Sequence, residues 1–148
     1  MWRIYTRRGS GLPNMSPALD CTTPDLAATR RTRKILIVDD EQIMRDLLRL
    51  HLTGNGYNVL VAEDAVAAGH LVVREKPDLI VCDVEMPYMN GYDFVAALKA
   101  DPTTKDVPVV FLTTHENVAD QARALGAAAY LTKPVLATRL LEVIELLL

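Results

Sequence analysis

The sequence predicts an α/β domain: a doubly wound, five-stranded parallel sheet with helices on both faces. Three observations predict it. Short β-branched runs alternate five times with longer segments of helical period, several of the runs are apolar throughout, and glycines fall where the intervening helices have to end. Alternating apolar and polar residues would instead have indicated a sheet with one wet face.

The predicted strands are Ile35 to Val38, Asn58 to Ala62, Leu79 to Cys82, Val107 to Leu112 and Ala128 to Leu131. Between them, Ile43, Leu47 and Leu50 recur at helical spacing and are expected to form the buried stripe of the first helix. Ala65, Ala68 and Val72 do the same for the second, and Phe94, Val95 and Leu98 share a face of the third. Gly54 and Gly56 are expected to close the first helix, and Gly126 the fourth, in the left-handed conformation that follows many helix ends. Pro102 and Pro108 bracket the loop after the third.

The chain has 148 residues, half of them apolar, enough for one packed core. Residues 1–32 show no hydrophobic period and contain Gly9, Gly11, Pro13, Pro17 and Pro24, so they are expected to be a weakly ordered or disordered basic tail. Residues 33–148 form the folded domain. Residues 1–34 hold seven Arg/Lys against two acids (+5), and the remainder hold nine against seventeen (-8). The arginines of the tail are scattered and lack the density of a nucleic-acid-binding arm, so no direct nucleic-acid role is expected. No apolar run approaches the roughly 20 residues needed to cross a bilayer, and Met1 to Leu19 lacks the h-region of a secretory signal. Cys21 and Cys82 form no metal-binding or disulfide pattern, which points to a reducing, cytoplasmic compartment.

The chemistry lies in the carboxylates. Asp39, Asp40 and Asp83 each follow an apolar strand and so sit at strand C-terminal ends, where open parallel sheets bind ligands. If the first and third strands are neighbours, the three acids converge. Like charges at that range oppose each other's ionisation, and a hard divalent cation resolves the conflict. Mg²⁺, with its preference for oxygen donors, suits such a site and would also neutralise charge on a transferring phosphoryl group. The plainer alternative is that Asp39 and Asp40 cap the first helix.

These residues lie within a larger pattern: I-L-I-V-D-D at 35–40, V-C-D-V-E-M-P-Y-M-N-G at 81–91, F-L-T-T at 111–114 and Y-L-T-K-P at 130–134. Together they resemble the receiver domain of two-component response regulators, over residues 34–148. The resemblance implies a flavodoxin-like sheet of strand order 2-1-3-4-5. It implies that Asp83 accepts a phosphoryl group from a sensor histidine kinase or a phosphotransfer protein. Asp40 would bind Mg²⁺ (or Mn²⁺) directly and Asp39 mostly through water, with Asp83 and the backbone carbonyl of Glu85 completing the protein's ligands.

Thr113 and Lys133 would stabilise the phosphoryl oxygens, and Pro134 matches a position that is commonly cis. Tyr130 would be the switch aromatic, coupled to Thr113, beneath a surface of helix four, strand five and helix five that addresses an output domain or partner. The domain would be a regulatory phosphoacceptor that only assists its own phosphorylation and dephosphorylation. Asn90, where an acid is frequent, and His115, at a variable position, are mild departures. In isolation, Thr113 reads as an ordinary strand residue, and Lys133 and His115 as solvated loop residues.

Residues 135–148 carry apolar side chains at 136, 140, 143 and 147 and again at 141, 144 and 148, more than one buried face requires. The surplus is expected to pack against a partner, a second receiver in a homodimer, or an effector region. Rival classes fit less well. A haloacid-dehalogenase-type hydrolase requires Asp-x-Asp, whereas Asp83 is followed by Val84 and Glu85. A flavodoxin-like cofactor binder requires a phosphate-cradling loop after the first strand, and Asp39-Asp40-Glu41 would repel phosphate there unless a metal intervened. A pure interaction module survives only if the pocket binds no metal.

Overall fold

The computed structural model describes residues 32–86, 90–115 and 118–148, together with the backbone of residues 3 and 4. Five parallel strands, β1 (Lys34–Val38), β2 (Asn58–Ala62), β3 (Leu79–Asp83), β4 (Val109–Thr113) and β5 (Ala129–Thr132), alternate with five helices. These are α1 (Gln42–Gly54), α2 (Ala65–Glu75), α3 (Gly91–Ala100), α4 (Ala119–Ala124) and α5 (Ala137–Leu147). The strand order is 2-1-3-4-5, as the resemblance implies. A short strand not among the five expected, Arg3–Ile4, pairs antiparallel with the outer edge of β5. The rest of the tail expected over residues 1–32, apart from Thr32, lies outside the described residues.

Period-two alternation sorts the strand side chains onto two cores, one on each face of the sheet. Leu36, Val38, Ile80, Cys82 and Phe111 point toward α2, α3 and α4, while Ile35, Ile37, Leu79, Val81, Val110 and Leu112 point toward α1 and α5. Being covered twice, these central strands can be apolar throughout. β5, the last of the parallel strands, alternates instead, with Ala129 and Leu131 buried and Tyr130 and Thr132 half-buried.

Three sequence expectations need correction. In α1 the buried stripe is Met44, Leu48 and Leu52, whereas Ile43 is 82% exposed and Leu50 71%. Both stripes satisfy helical spacing; the spacing alone cannot choose which of two adjacent apolar faces meets the sheet. The fourth strand starts at Val109 rather than Val107, because the Val107 N–H is held by the Thr104 carbonyl (3.1 Å) in the preceding turn and Pro108 has no N–H for a ladder. The apolar surplus of the C-terminal segment is mostly used within the chain. Leu140, Val143 and Ile144 are buried, and Leu141, Leu147 and Leu148 pack on the same core beside α1. Only Leu136 (67%) and Leu146 (64%) remain largely exposed there.

The helix ends follow the expected chemistry except at Gly54, which is the last helical residue of α1 rather than a left-handed cap, so Gly56 alone makes that turn. Gly56 (φ 92) and Gly126 (φ 83) adopt the left-handed conformation after α1 and α4. Asn90 caps α3, its side chain accepting from the Asp93 N–H at 2.9 Å, and Asp64 caps α2 in the same way through Ala67 at 2.8 Å.

Candidate functional site

The strand ends bring the predicted acids together. β1 and β3 are neighbours, so Asp39 and Asp83 leave the sheet side by side, and carboxylate oxygens of Asp39, Asp40 and Asp83 all lie within 4.8 Å of one another. Asp39 and Asp83 are buried and Asp40 is exposed. Neither Asp39 nor Asp40 caps α1, whose N-cap is Glu41 without a side-chain bond. Asp39 instead accepts from the Glu41 N–H (2.9 Å), and Asp83 accepts from the Glu85 N–H (3.1 Å). Each acid is thus held by the backbone two residues on and presents its second oxygen to the crevice.

Lys133 answers this charge. Its Nζ lies 3.3 Å from Asp83 Oδ2, 3.4 Å from Asp39 Oδ2 and 3.8 Å from Glu41 Oε1, with only 11% of the side chain exposed. The Lys133–Pro134 peptide is cis, as the resemblance implies. The Lys133 N–H donates to the Thr113 carbonyl (2.6 Å), tying the lysine loop to the end of β4. Thr113 is fully buried, and its hydroxyl accepts from the His115 N–H at 3.0 Å.

Ionisation at the site is a contest between burial and that one lysine. Burial pushes Asp83 up to about 6, against the lowering effect of the Glu85 N–H and of Lys133, and it raises Asp39 as well. Burial alone would lower Lys133, but the carboxylates of Asp83 and Asp39 outweigh it and hold the ammonium above its ordinary value. The pocket therefore carries more negative charge than Lys133 offsets, all of it on hard oxygen donors. That donor set fits a hard divalent cation such as Mg²⁺.

Several participants were not singled out in the sequence. Arg45 on α1 donates to the Asp39 carbonyl (2.6 Å), and Glu41 adds a carboxylate to the lysine's surroundings. At the mouth, the Thr114 hydroxyl donates to Glu85 Oε1 at 2.6 Å, and His115 Nε2, on an exposed side chain, lies 3.2 Å from the same oxygen. The Thr114 bond, first, and His115 hold the Glu85 carboxyl below its ordinary range.

Gly91 has a structural role that its place in the 81–91 motif could have signalled. A Cβ there would lie 2.4 Å from the Asp83 carbonyl oxygen and 2.9 Å from Val84 Cα, because the Gly91 N–H closes onto the Val84 carbonyl at 2.8 Å. Only glycine lets α3 start so near the end of β3. Gly91→Ala is expected to lower stability by about 2 to 4 kcal/mol, since backbone rather than a flexible side chain has to yield. Chemical denaturation would measure this, and an unchanged midpoint would refute the close-approach argument.

Tyr130 stands opposite Phe111 in the β4–β5 register, and Thr113 lies two residues further along β4. Alternation therefore places Thr113 and Tyr130 on the same face of the sheet. Tyr130 is half-buried against the core that includes Phe111.

Comparison with known proteins agrees with this fold. The family model described as the response regulator receiver domain matches residues 35–145. Response regulator MprA of Mycobacterium leprae is 39% identical over 117 residues, which cover 78% of this chain and 50% of that protein. Response regulator PleD of Caulobacter vibrioides is 40% identical over 104 residues, 69% of this chain and 23% of that protein. The chain thus spans about half the length of MprA and less of PleD. Among solved structures, the chemotaxis response regulator CheY4 of Vibrio cholerae superposes with a TM-score of 0.76 at 32% identity, covering 80% of this chain and 100% of that one. From its strand order, its sequence and these relatives, the chain belongs to the response regulator receiver domain family.

Proposed function

We propose that this domain is the phosphorylation-dependent switch of a two-component system and that Asp83 is its phosphoacceptor. The observation that carries the reading is the buried Asp83 carboxylate at the end of β3, within 3.3 Å of Lys133 and beside Asp39 and Asp40. One Asp83 carboxylate oxygen attacks the phosphorus of a phosphohistidine on a histidine kinase or phosphotransfer protein. The P–N bond breaks as the P–O bond forms, the imidazole leaves with the bonding pair, and an acyl phosphate remains.

Asp39, Asp40, Asp83 and the Glu85 carbonyl would hold Mg²⁺ or Mn²⁺, which when bound supplies charge neutralisation to the phosphoryl oxygens. Lys133 shifts its ammonium from the carboxylate to the new phosphoryl group, and Thr113 turns its hydroxyl toward the same group. That movement empties space on the face shared with Tyr130, which changes rotamer and alters the surface of α4, β5 and α5. An output domain or partner protein reads this surface; a homodimer is one form such a partner can take.

A receiver is a signalling domain of a regulator rather than an enzyme in the ordinary sense, and here it only assists its own phosphorylation and hydrolysis. We place it in the cytoplasm, in contact with neither membrane nor nucleic acid. Among the described residues no helix is long and apolar enough to cross a membrane.

Acetyl phosphate with Mg²⁺, or a beryllofluoride mimic, is expected to shift the amide resonances around Asp83, Thr113 and Tyr130. Asp83→Asn should abolish the response. The same shifts in that variant would reject Asp83 as the acceptor.

A further inference from the structure

We propose that the Arg3–Ile4 strand is a strap that occupies the outer edge of β5 and so competes with antiparallel pairing of β5 to a second copy of this chain. β5 is the last parallel strand of the sheet, and its outer side is paired with Arg3 opposite Tyr130 and Ile4 opposite Ala129. An uncovered strand edge is a template for pairing with another chain, and proteins usually blunt it with lysine, proline or a bulge. The β5 sequence, Ala129-Tyr130-Leu131-Thr132, carries no charge and no proline. Its protection comes from the strap.

The cover is specific to this edge. At the opposite edge, β2 pairs only with β1 among the described residues, so the fold does not require a strand on each side. What distinguishes β5 is its register partner: the strap lies against Tyr130, the residue proposed above to report the switch. The strap is also short, two residues against the four of β5. A short strand on the same chain binds by virtue of its high local concentration, yet yields to a longer one.

The competitor follows from symmetry. Two copies related by a two-fold axis place β5 against β5, and that pairing is necessarily antiparallel, the orientation in which the strap itself binds. A second β5 offers twice the strap's length. Strap and second copy therefore exclude one another.

The test uses the full chain without phosphodonor or metal, so its outcome is separable from that of the phosphoacceptor reading. Arg3→Pro/Ile4→Pro removes both strap N–H groups at positions outside the five-stranded domain. In dilute solution, amide exchange at the outward-facing groups of β5 is expected to accelerate about tenfold, and sedimentation equilibrium to show self-association about tenfold tighter than in the parent chain. The β5 amides should regain protection as the dimer forms. Arg3→Gly/Ile4→Gly, which keeps the donors but weakens the strand, should fall between the two. Unchanged exchange would remove the strap. Faster exchange with unchanged association, or a dimer that leaves the β5 amides unprotected, would overturn the competition with a second copy.

Discussion

Asp83→Asn is expected to make the metal-free domain more stable near neutral pH while leaving it unable to accept a phosphoryl group. Burial raises Asp83 from 3.8 to about 6, so the folded state holds this proton more tightly than the unfolded chain does. A carboxyl with a raised folded-state pKa contributes most stability below its unfolded pKa. That contribution is lost as pH rises through the folded value, here over a window from about 4 to about 6. Above the window the ionised Asp83 costs roughly 3 kcal/mol. Asparagine carries no such titration, although the substitution also takes one of two buried carboxylates from Lys133, so the net gain is nearer 1 to 3 kcal/mol. Thermal midpoints measured against pH should separate as pH rises from about 4 to about 6, the parent falling more steeply than the variant, in which Asp39, also raised by burial, still titrates. Parallel curves at every pH would show that Asp83 is not the strained group.

The same strain makes the site responsive. Whatever stabilises the ionised form of Asp83 more than its neutral form recovers the lost stability, and a divalent cation among the three acids does so directly. Mg²⁺ is therefore expected to raise the midpoint of the parent chain above the titration window and to have less effect below it, where Asp83 is protonated.

The legible part of this protein was the part with a short-range signal. The alternation of strand and helix, the acids at strand ends and the glycines after helices each depend on a few consecutive residues, and the structure reproduces them. The orientation of α1 was not legible, because Ile43, Leu47 and Leu50 repeat as regularly as Met44, Leu48 and Leu52, and only contact with the sheet separates them. The use of the surplus apolar residues on α5 was not legible for a related reason: the helix lies against both the sheet and α1, a doubled demand that a single helical stripe does not express. At the site, Asp39, Asp83 and Lys133 are separated by long stretches of chain, and recognition of the motifs brought them together before geometry did. Arg45 and Thr114 entered only with the structure, as did the contact of Glu41 with Lys133, since each acts by proximity rather than by spacing.

Lys133→Met is expected to move two properties of the site in opposite directions. The ammonium touches both buried carboxylates, at 3.3 and 3.4 Å, and in the absence of metal it is what partly offsets their repulsion. Without it, Asp83 and Asp39 shift further upward and the metal-free domain loses stability near neutral pH, the outcome of breaking a buried ion pair by removing one partner. A cation entering the pocket, however, no longer meets a positive charge already seated against Asp83, so Mg²⁺ should bind on the order of tenfold more tightly in the variant. Phosphorylation by acetyl phosphate at saturating Mg²⁺ should nonetheless slow by about 10²- to 10³-fold, the usual consequence of removing one preorganised electrostatic partner of a transferring group. Lysine that served only as a structural counter-ion to the acids would give tighter metal binding without the loss of rate. A metal titration paired with phosphorylation kinetics separates the two roles, and Lys133→Arg, which keeps the charge but changes its geometry, should recover stability more fully than rate.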